Sequence, residues 1–115
     1  MTKPISIIDS LEFAQKATNL KQAVIANNIA NLETPGYKRR DVSFKDAFAK
    51  AVEDGQSPLE IQPEIVTPGS GPGDETGNDI NLEVEMGEMI KNAGSYKTYT
   101  KLLAKIYRQI DMAIG

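Results

Sequence analysis

The last third of the chain constrains the fold most. Leu82, Met86, Met89, Ala93, Tyr96, Thr100, Leu103, Tyr107, Ile110 and Ile114 follow one another at alternating spacings of four and three. All but Thr100 are apolar or aromatic. Such a run is a heptad seam, and it commits the segment to one long helix that must bury a narrow stripe against another helix. From Leu82 to Ile114 the helix would be about 50 Å long at about 1.5 Å per residue. Asn81 is placed to cap its start, and Glu83 and Glu85 suit the positive end of the helix dipole. Lys101, Lys105 and Arg108 lie toward the negative end. Gly87 and Gly94 interrupt it at a cost of about 1 kcal/mol each.

The beginning of the chain answers this pattern. Phe13, Ala17, Leu20, Val24, Asn27 and Asn31 repeat the four–three spacing, with Leu11, Ile25, Ile29 and Leu32 beside them. A helix is predicted from about Ile7 to Asn31. Ser6 and Asp9 read as a capping box. Pro35 drives Thr34 out of helical geometry and ends the helix. Thr34-Pro35-Gly36-Tyr37 reads as a type II turn. A shorter amphipathic helix follows, capped by Ser43 with Asp46, and with Phe44, Ala47, Phe48 and Ala51 on one face.

Between these parts lies a segment different in kind. Residues 55–81 hold five Gly, four Pro, five acidic residues and no Lys or Arg. A stretch so poor in apolar residues reads as flexible loop. Within it, "LEIQPEIV" alternates Leu59, Ile61 and Ile65, and Pro63 confines any strand there to an edge or a bulge. The expected fold is therefore all-α. Long N- and C-terminal helices (1–32 and 82–115) pair as an antiparallel coiled-coil hairpin. A turn and short helix (33–54) and a flexible acidic loop (55–81) complete a single domain spanning 1–115.

Several functions are disfavoured. The chain has no His and no Cys, so the commonest general base, the commonest metal ligand, and thiolate nucleophiles and metal sites are missing. Glu83 and Glu85 face apart on a helix. "GSGPG" lacks the Lys-Ser/Thr and the helix of a phosphate loop. No enzymatic activity, cofactor, metal or small-molecule substrate is expected. A net charge of −3 argues against nucleic acid, and three charges in a row at Lys38-Arg39-Arg40 do not make such a site without an aromatic platform or a wider basic face. No apolar run approaches membrane-spanning length, and acidic Asp9 and Glu12 leave no readable cleavable secretory signal.

What remains is an excess of seam. Slender helices with several apolar faces carry more surface than a lone hairpin can bury, which points to helices from other copies or other proteins. Two readings stand for Asn27 and Asn31: a seam that frays before the turn, or polar seam residues that set register with a partner. Lys38, Arg39 and Arg40 read either as a solvated patch or as a contact to an acidic surface.

The stretch "NNIANLETPGYKRRDVSF" resembles the signature of flagellar axial proteins of the rod and hook. The matching residues are Asn28, Ile29, Ala30, Asn31, Thr34, Pro35, Gly36, Tyr37, Lys38, Arg40, Asp41 and Phe44. "GNDINLEVEM", Gly77 to Met86, is similar to that family's entry into its last helix. Together with the short length, this is most like its proximal-rod members. Leu32-Glu33 and Arg39 depart from the usual pattern. The resemblance implies a self-assembling structural subunit of the basal-body rod, exported uncleaved by the flagellar type III apparatus to the periplasmic space. Its partners would be further copies, neighbouring rod proteins, the rod-base adaptor at the membrane ring, and the export apparatus. It also implies assembly contacts at Asn27, Asn28, Asn31, Thr34, Pro35, Gly36, Tyr37, Lys38, Arg39 and Arg40, and on the last helix at Leu82, Met86, Tyr96 and Leu103. The competing reading is a soluble helical-hairpin adaptor or export chaperone.

Overall fold

The computed structural model describes residues 7–57, 60, 62–68 and 75–114. The expected Ser6 cap, the alternating Leu59 and Ile61, and residues 69–74 of the acidic loop lie outside these. Three helices are present: α1 (Ile7–Ala30), α2 (Lys45–Asp54) and α3 (Leu82–Ile114). Two short strands, β1 (Asp41–Ser43) and β2 (Glu64–Val66), make the fold mostly helical rather than all-α. The molecule is a thin slab of 62 × 31 × 15 Å.

The long helices pack along each other through a ladder of side-chain bonds. Glu12 accepts from the Tyr107 hydroxyl at 2.8 Å, and Gln15 donates to Thr100 at 2.9 Å. Asn92 donates to the Thr18 carbonyl at 2.7 Å and to Gln22 Oε1 at 2.8 Å. Asn28 donates to Glu85 at 3.1 Å. Partners ascend along α1 as they descend along α3. Phe13, Ala17, Val24 and Ile25 of α1 and Leu103 of α3 form the buried apolar line.

The seam read from the sequence and the buried face of α3 do not coincide. Leu103 is buried as expected, but Leu82, Met86, Ala93 and Tyr96 are exposed. Glu85 and Asn92 are buried in their stead. In α1 the same displacement occurs at one end: Asn28 is buried, and Asn27 is exposed. Hydrophobic spacing alone does not choose the inward face where polar partners are available on both helices.

The second correction concerns residues 41–66. Ser43 does not cap a helix; it lies in β1, and α2 starts after Phe44 with no side-chain cap. The β1–β2 pairing is antiparallel, with Val42 opposite Ile65. Pro63 immediately precedes β2, a position that spares the ladder a missing N–H. Val42 is buried. Gly55 ends α2 with φ 70°, where the amide of Gln56 reaches the carbonyl of Ala51. Phe44 and Phe48 bracket Phe13, with ring centroids 6.3 and 5.9 Å away, and so tie α2 to α1. An open apolar groove of about 450 Å³ runs beside them, lined by Ile7, Leu11, Phe13, Phe44 and Phe48 among others. The side chain of Ala47 is not among those described.

Candidate functional site: a polar latch joining the two motifs

The end of α1 is shaped by its asparagines. The Asn31 side chain donates back to the Asn27 carbonyl at 2.8 Å, and Asn31 Oδ1 accepts from the Thr34 hydroxyl at 3.0 Å. The Tyr37 amide closes the turn on the Thr34 carbonyl at 3.2 Å, with Gly36 at φ 75°. This is the geometry that Pro35-Gly36 dictates. The turn sends the chain back along α1, so Arg39 to Asp41 pass beside Asn28.

Asn28 is fully buried, and its amide uses both of its ends. It accepts from the Arg40 amide at 3.0 Å and from the Tyr37 hydroxyl at 3.5 Å. It donates to the Arg40 carbonyl at 2.8 Å and to Glu85 at 3.1 Å. A side-chain amide that bonds one residue's N–H and C=O mimics a strand neighbour and fixes that residue's backbone.

The second motif closes on the first. Asn78, itself buried, donates to the carbonyls of Asn31, Leu32 and Thr34 at 2.9, 3.1 and 2.8 Å. These carbonyls lie in the turn just past the end of α1, where those of Asn31 and Thr34 also accept from the Thr34 and Tyr37 amides. Asp79 accepts from the Arg39 amide at 2.6 Å, and its own amide donates to the Tyr37 carbonyl at 3.3 Å. Gly77 has φ 85°, and a Cβ there would stand 3.6 Å from the Cα of Gly36. That is an ordinary contact distance, so it is the left-handed backbone at Gly36 and Gly77, not lack of space, that favours glycine at both turns. Asn81 caps α3, accepting from the Val84 amide at 3.2 Å. One turn on, Glu85 enters the interior. It is fully buried and accepts from Arg39 Nε at 2.7 Å.

The charges form a line. Arg39 also lies 3.9 Å from Asp41, and Lys21 bridges Asp41 at 3.8 Å and Glu88 at 3.3 Å. Burial works against the Arg39 charge, but the hydrogen bond to Glu85 and the charges of Glu85, Asp41 and Glu88 outweigh it and hold its pKa above the usual value. No buried side-chain polar atom among the described residues lacks a partner. A fully satisfied network of this kind rigidifies the junction of helix, turn and strand.

Sequence reasoning placed Asn28, Asn31, Thr34, Tyr37, Arg39 and Arg40 together, and the structure brings them to one junction. Arg39 faces Glu85 and Asp41 of its own chain, which leaves it no longer a plain outward charge. Arg40 is exposed, its guanidinium carbon 5.9 Å from the Tyr37 ring centre. Asn27, Thr34, Pro35 and Gly36 are exposed, and Lys38 is half-buried. Leu82, Met86 and Tyr96 stand apart on the outer side of α3. Asn78, Asp79 and Glu85 lie in the second motif, but the sequence assigned no contact to them or to Asn92. One signal was present: Glu85, Asn92 and Tyr99 recur every seven residues, a polar row parallel to the apolar one.

Comparison with known proteins bears on this junction. A family described as "Flagella basal body rod protein" matches residues 8–38, from α1 through the turn. The flagellar basal body rod protein FlgB of Bacillus subtilis is 31% identical over 101 residues, which cover 78% of each chain. The chain belongs to the FlgB family of flagellar basal body rod proteins. The FlgB of Borrelia hermsii is 24% identical over 116 residues, 84% of this chain and 86% of its own. That of Escherichia coli is 40% identical over 55 residues, 45% and 40% of the two chains. Membership makes this protein a structural rod subunit of the flagellum.

The latch predicts a measurable cost of its removal. Asn78→Ala withdraws the side-chain NH2 from three carbonyls in the turn after α1 and the Oδ1 acceptor from the Ile80 amide. It should destabilise the chain by about 2 kcal/mol, the penalty for leaving a part-buried acceptor cluster poorly paired. Urea unfolding followed by circular dichroism checks this. A loss under about 0.5 kcal/mol would show that water replaces the amide without penalty.

Proposed function

We propose that this rod subunit assembles through its terminal helices, as an antiparallel hairpin whose outer α3 face meets helices of neighbouring subunits. The observation that carries the reading is the outward apolar stripe. Met86 is 51% exposed and Ile90 73%, with Leu82, Ala93 and Tyr96 beside them. A four–three seam of this length is complementary to another helix, and water is a poor substitute for one. Ile110, Met112 and Ile114 extend the exposed apolar surface to the end of α3. The contact ladder between α1 and α3 supports the hairpin. The latch supports a rigid subunit end, with the Asn27 side chain, Thr34, Pro35, Gly36, Lys38 and Arg40 on its outer surface as register and contact residues.

The partners on this reading are further copies, neighbouring rod proteins and the adaptor at the membrane ring. The site of action is the rod in the periplasmic space, reached uncleaved through the flagellar export apparatus. Deleting the gene and imaging basal bodies by electron microscopy tests it. Membrane rings without rods, restored by the wild-type gene, are expected. Complete rods and normal swimming in the deleted strain would overturn the reading.

A further inference from the structure

We propose that Glu85 and Asn92 act as a rotational lock that keeps the apolar stripe of α3 out of the chain's own core. The inference rests on the reading of that stripe as an assembly surface, and it explains how the surface stays available.

The premise is a mismatch of faces. In the first half of α3 the stripe of Leu82, Met86 and Ala93 trails the buried row of Glu85 and Asn92 by one residue, a rotation of about 100°. Further along, the two rows converge: Leu103 belongs to both and is buried. Beyond it Tyr107, Ile110 and Ile114 of the stripe are exposed again, so the lock is assigned only to the half of the helix where Glu85 and Asn92 face inward. α1 shows the same thing, since Phe13 and Ala17 are buried in seam positions while Asn28 displaces Asn27 near the latch.

A helix with an apolar stripe on a hairpin would turn that stripe toward its neighbour if nothing opposed it. Here each inward polar residue is held by partners that lie only in one direction. Glu85 meets Arg39 at 2.7 Å and Asn28 at 3.1 Å. Asn92 meets the Thr18 carbonyl at 2.7 Å and Gln22 at 2.8 Å. Turning α3 by one residue would break both sets at once, taking Glu85 from Arg39 and Asn28 and Asn92 from Thr18 and Gln22. Because Glu85 and Asn92 are seven residues apart, they fix the same rotation. Buried polar residues set register and pairing at a cost in stability, and that is the role assigned here. The occupant of the freed stripe is a helix of a neighbouring subunit, and the positions of Glu85 and Asn92 confine the lock to the first half of α3.

The chain has no cysteine, so one introduced thiol reports a single position. Met86→Cys in the otherwise native full chain should label rapidly with a maleimide. In a Glu85→Ala/Asn92→Ala background the stripe of α3 turns inward, and labelling of Met86→Cys should slow by about tenfold or more. A rate within about twofold of the native background, with unchanged helical circular dichroism, would overturn the proposal. If the double variant does not fold, the reading passes to Asn92→Ala alone with Ala93→Cys as the probe. That variant disturbs no charge. Labelling slowed about threefold or more supports the lock, and an unchanged rate overturns it. The labelling is done on the isolated chain, so intact rods in a deletion strain would refute the assembly reading and leave this result standing.

Discussion

Arg39→Ala is expected to destabilise the chain by about 3 kcal/mol, because it strands a fully buried carboxylate. Glu85 would keep only the amide of Asn28. Glu85→Ala should cost less, about 2 kcal/mol. Its partner Arg39 is 22% exposed at the side chain and can turn toward water and Asp41. The asymmetry is the signature of the latch: the same pair broken from opposite sides gives different losses. The double variant should lose about 1–2 kcal/mol less than the sum of the two, the coupling of residues in direct contact. Denaturant unfolding of the four chains measures all three quantities. An Arg39→Ala loss below about 1 kcal/mol would mean that the pair behaves as an exposed ion pair and that the junction is held by its backbone bonds.

Phe13→Ala is the other large effect. Phe13 is 1% exposed and stacks against both Phe44 and Phe48, the aromatic tie between α2 and α1. Truncation of a buried Phe costs about 3–5 kcal/mol. The open groove alongside lets neighbours shift and water enter, so the lower end, about 3 kcal/mol, is expected. The melting temperature should fall on the order of 10–20 °C. Amide exchange should rise in α2 and in β1, while the latch at Asn28 and Asn78 stays protected. Equal loss of protection at both ends would show that the chain unfolds as one unit, with no separate latch.

Parts of this fold were legible and others were not, for identifiable reasons. The bounds of α1 and α3 followed from seam spacing, from Pro35 and from the Asn81 cap, since each acts through backbone geometry local to the sequence. The Thr34–Tyr37 turn was legible for the same reason. The inward face of α3 was not. It depends on Arg39 and Asn28 meeting Glu85 across 46 and 57 positions of sequence, and hydrophobic periodicity carries no information about such pairs. Ser43 was misread as a cap because its hydroxyl suits one, whereas pairing of Asp41–Ser43 with Glu64–Val66 claimed the residue for a strand. In "LEIQPEIV" the sequence left a short strand open, confined by Pro63 to an edge or a bulge, and Glu64–Val66 forms one just after that proline. Its partner β1 lies 23 residues earlier, paired Ser43 to Glu64 at its nearest register, and was not foreseeable from three residues. At the junction, the first motif marked the turn correctly. The discovery that the second motif is its complement needed the distances from Asn78 and Asp79.

The most direct test of the account is to place charge on the exposed stripe without touching the latch. Met86→Asp with Ala93→Asp alters two exposed seam positions, so the isolated chain should keep its stability within about 0.5 kcal/mol. Basal bodies from cells carrying only this variant should show membrane rings without rods, because each carboxylate would have to be buried against a neighbouring helix. Complete rods and normal swimming, with the variant protein present at wild-type level, would contradict assembly through α3.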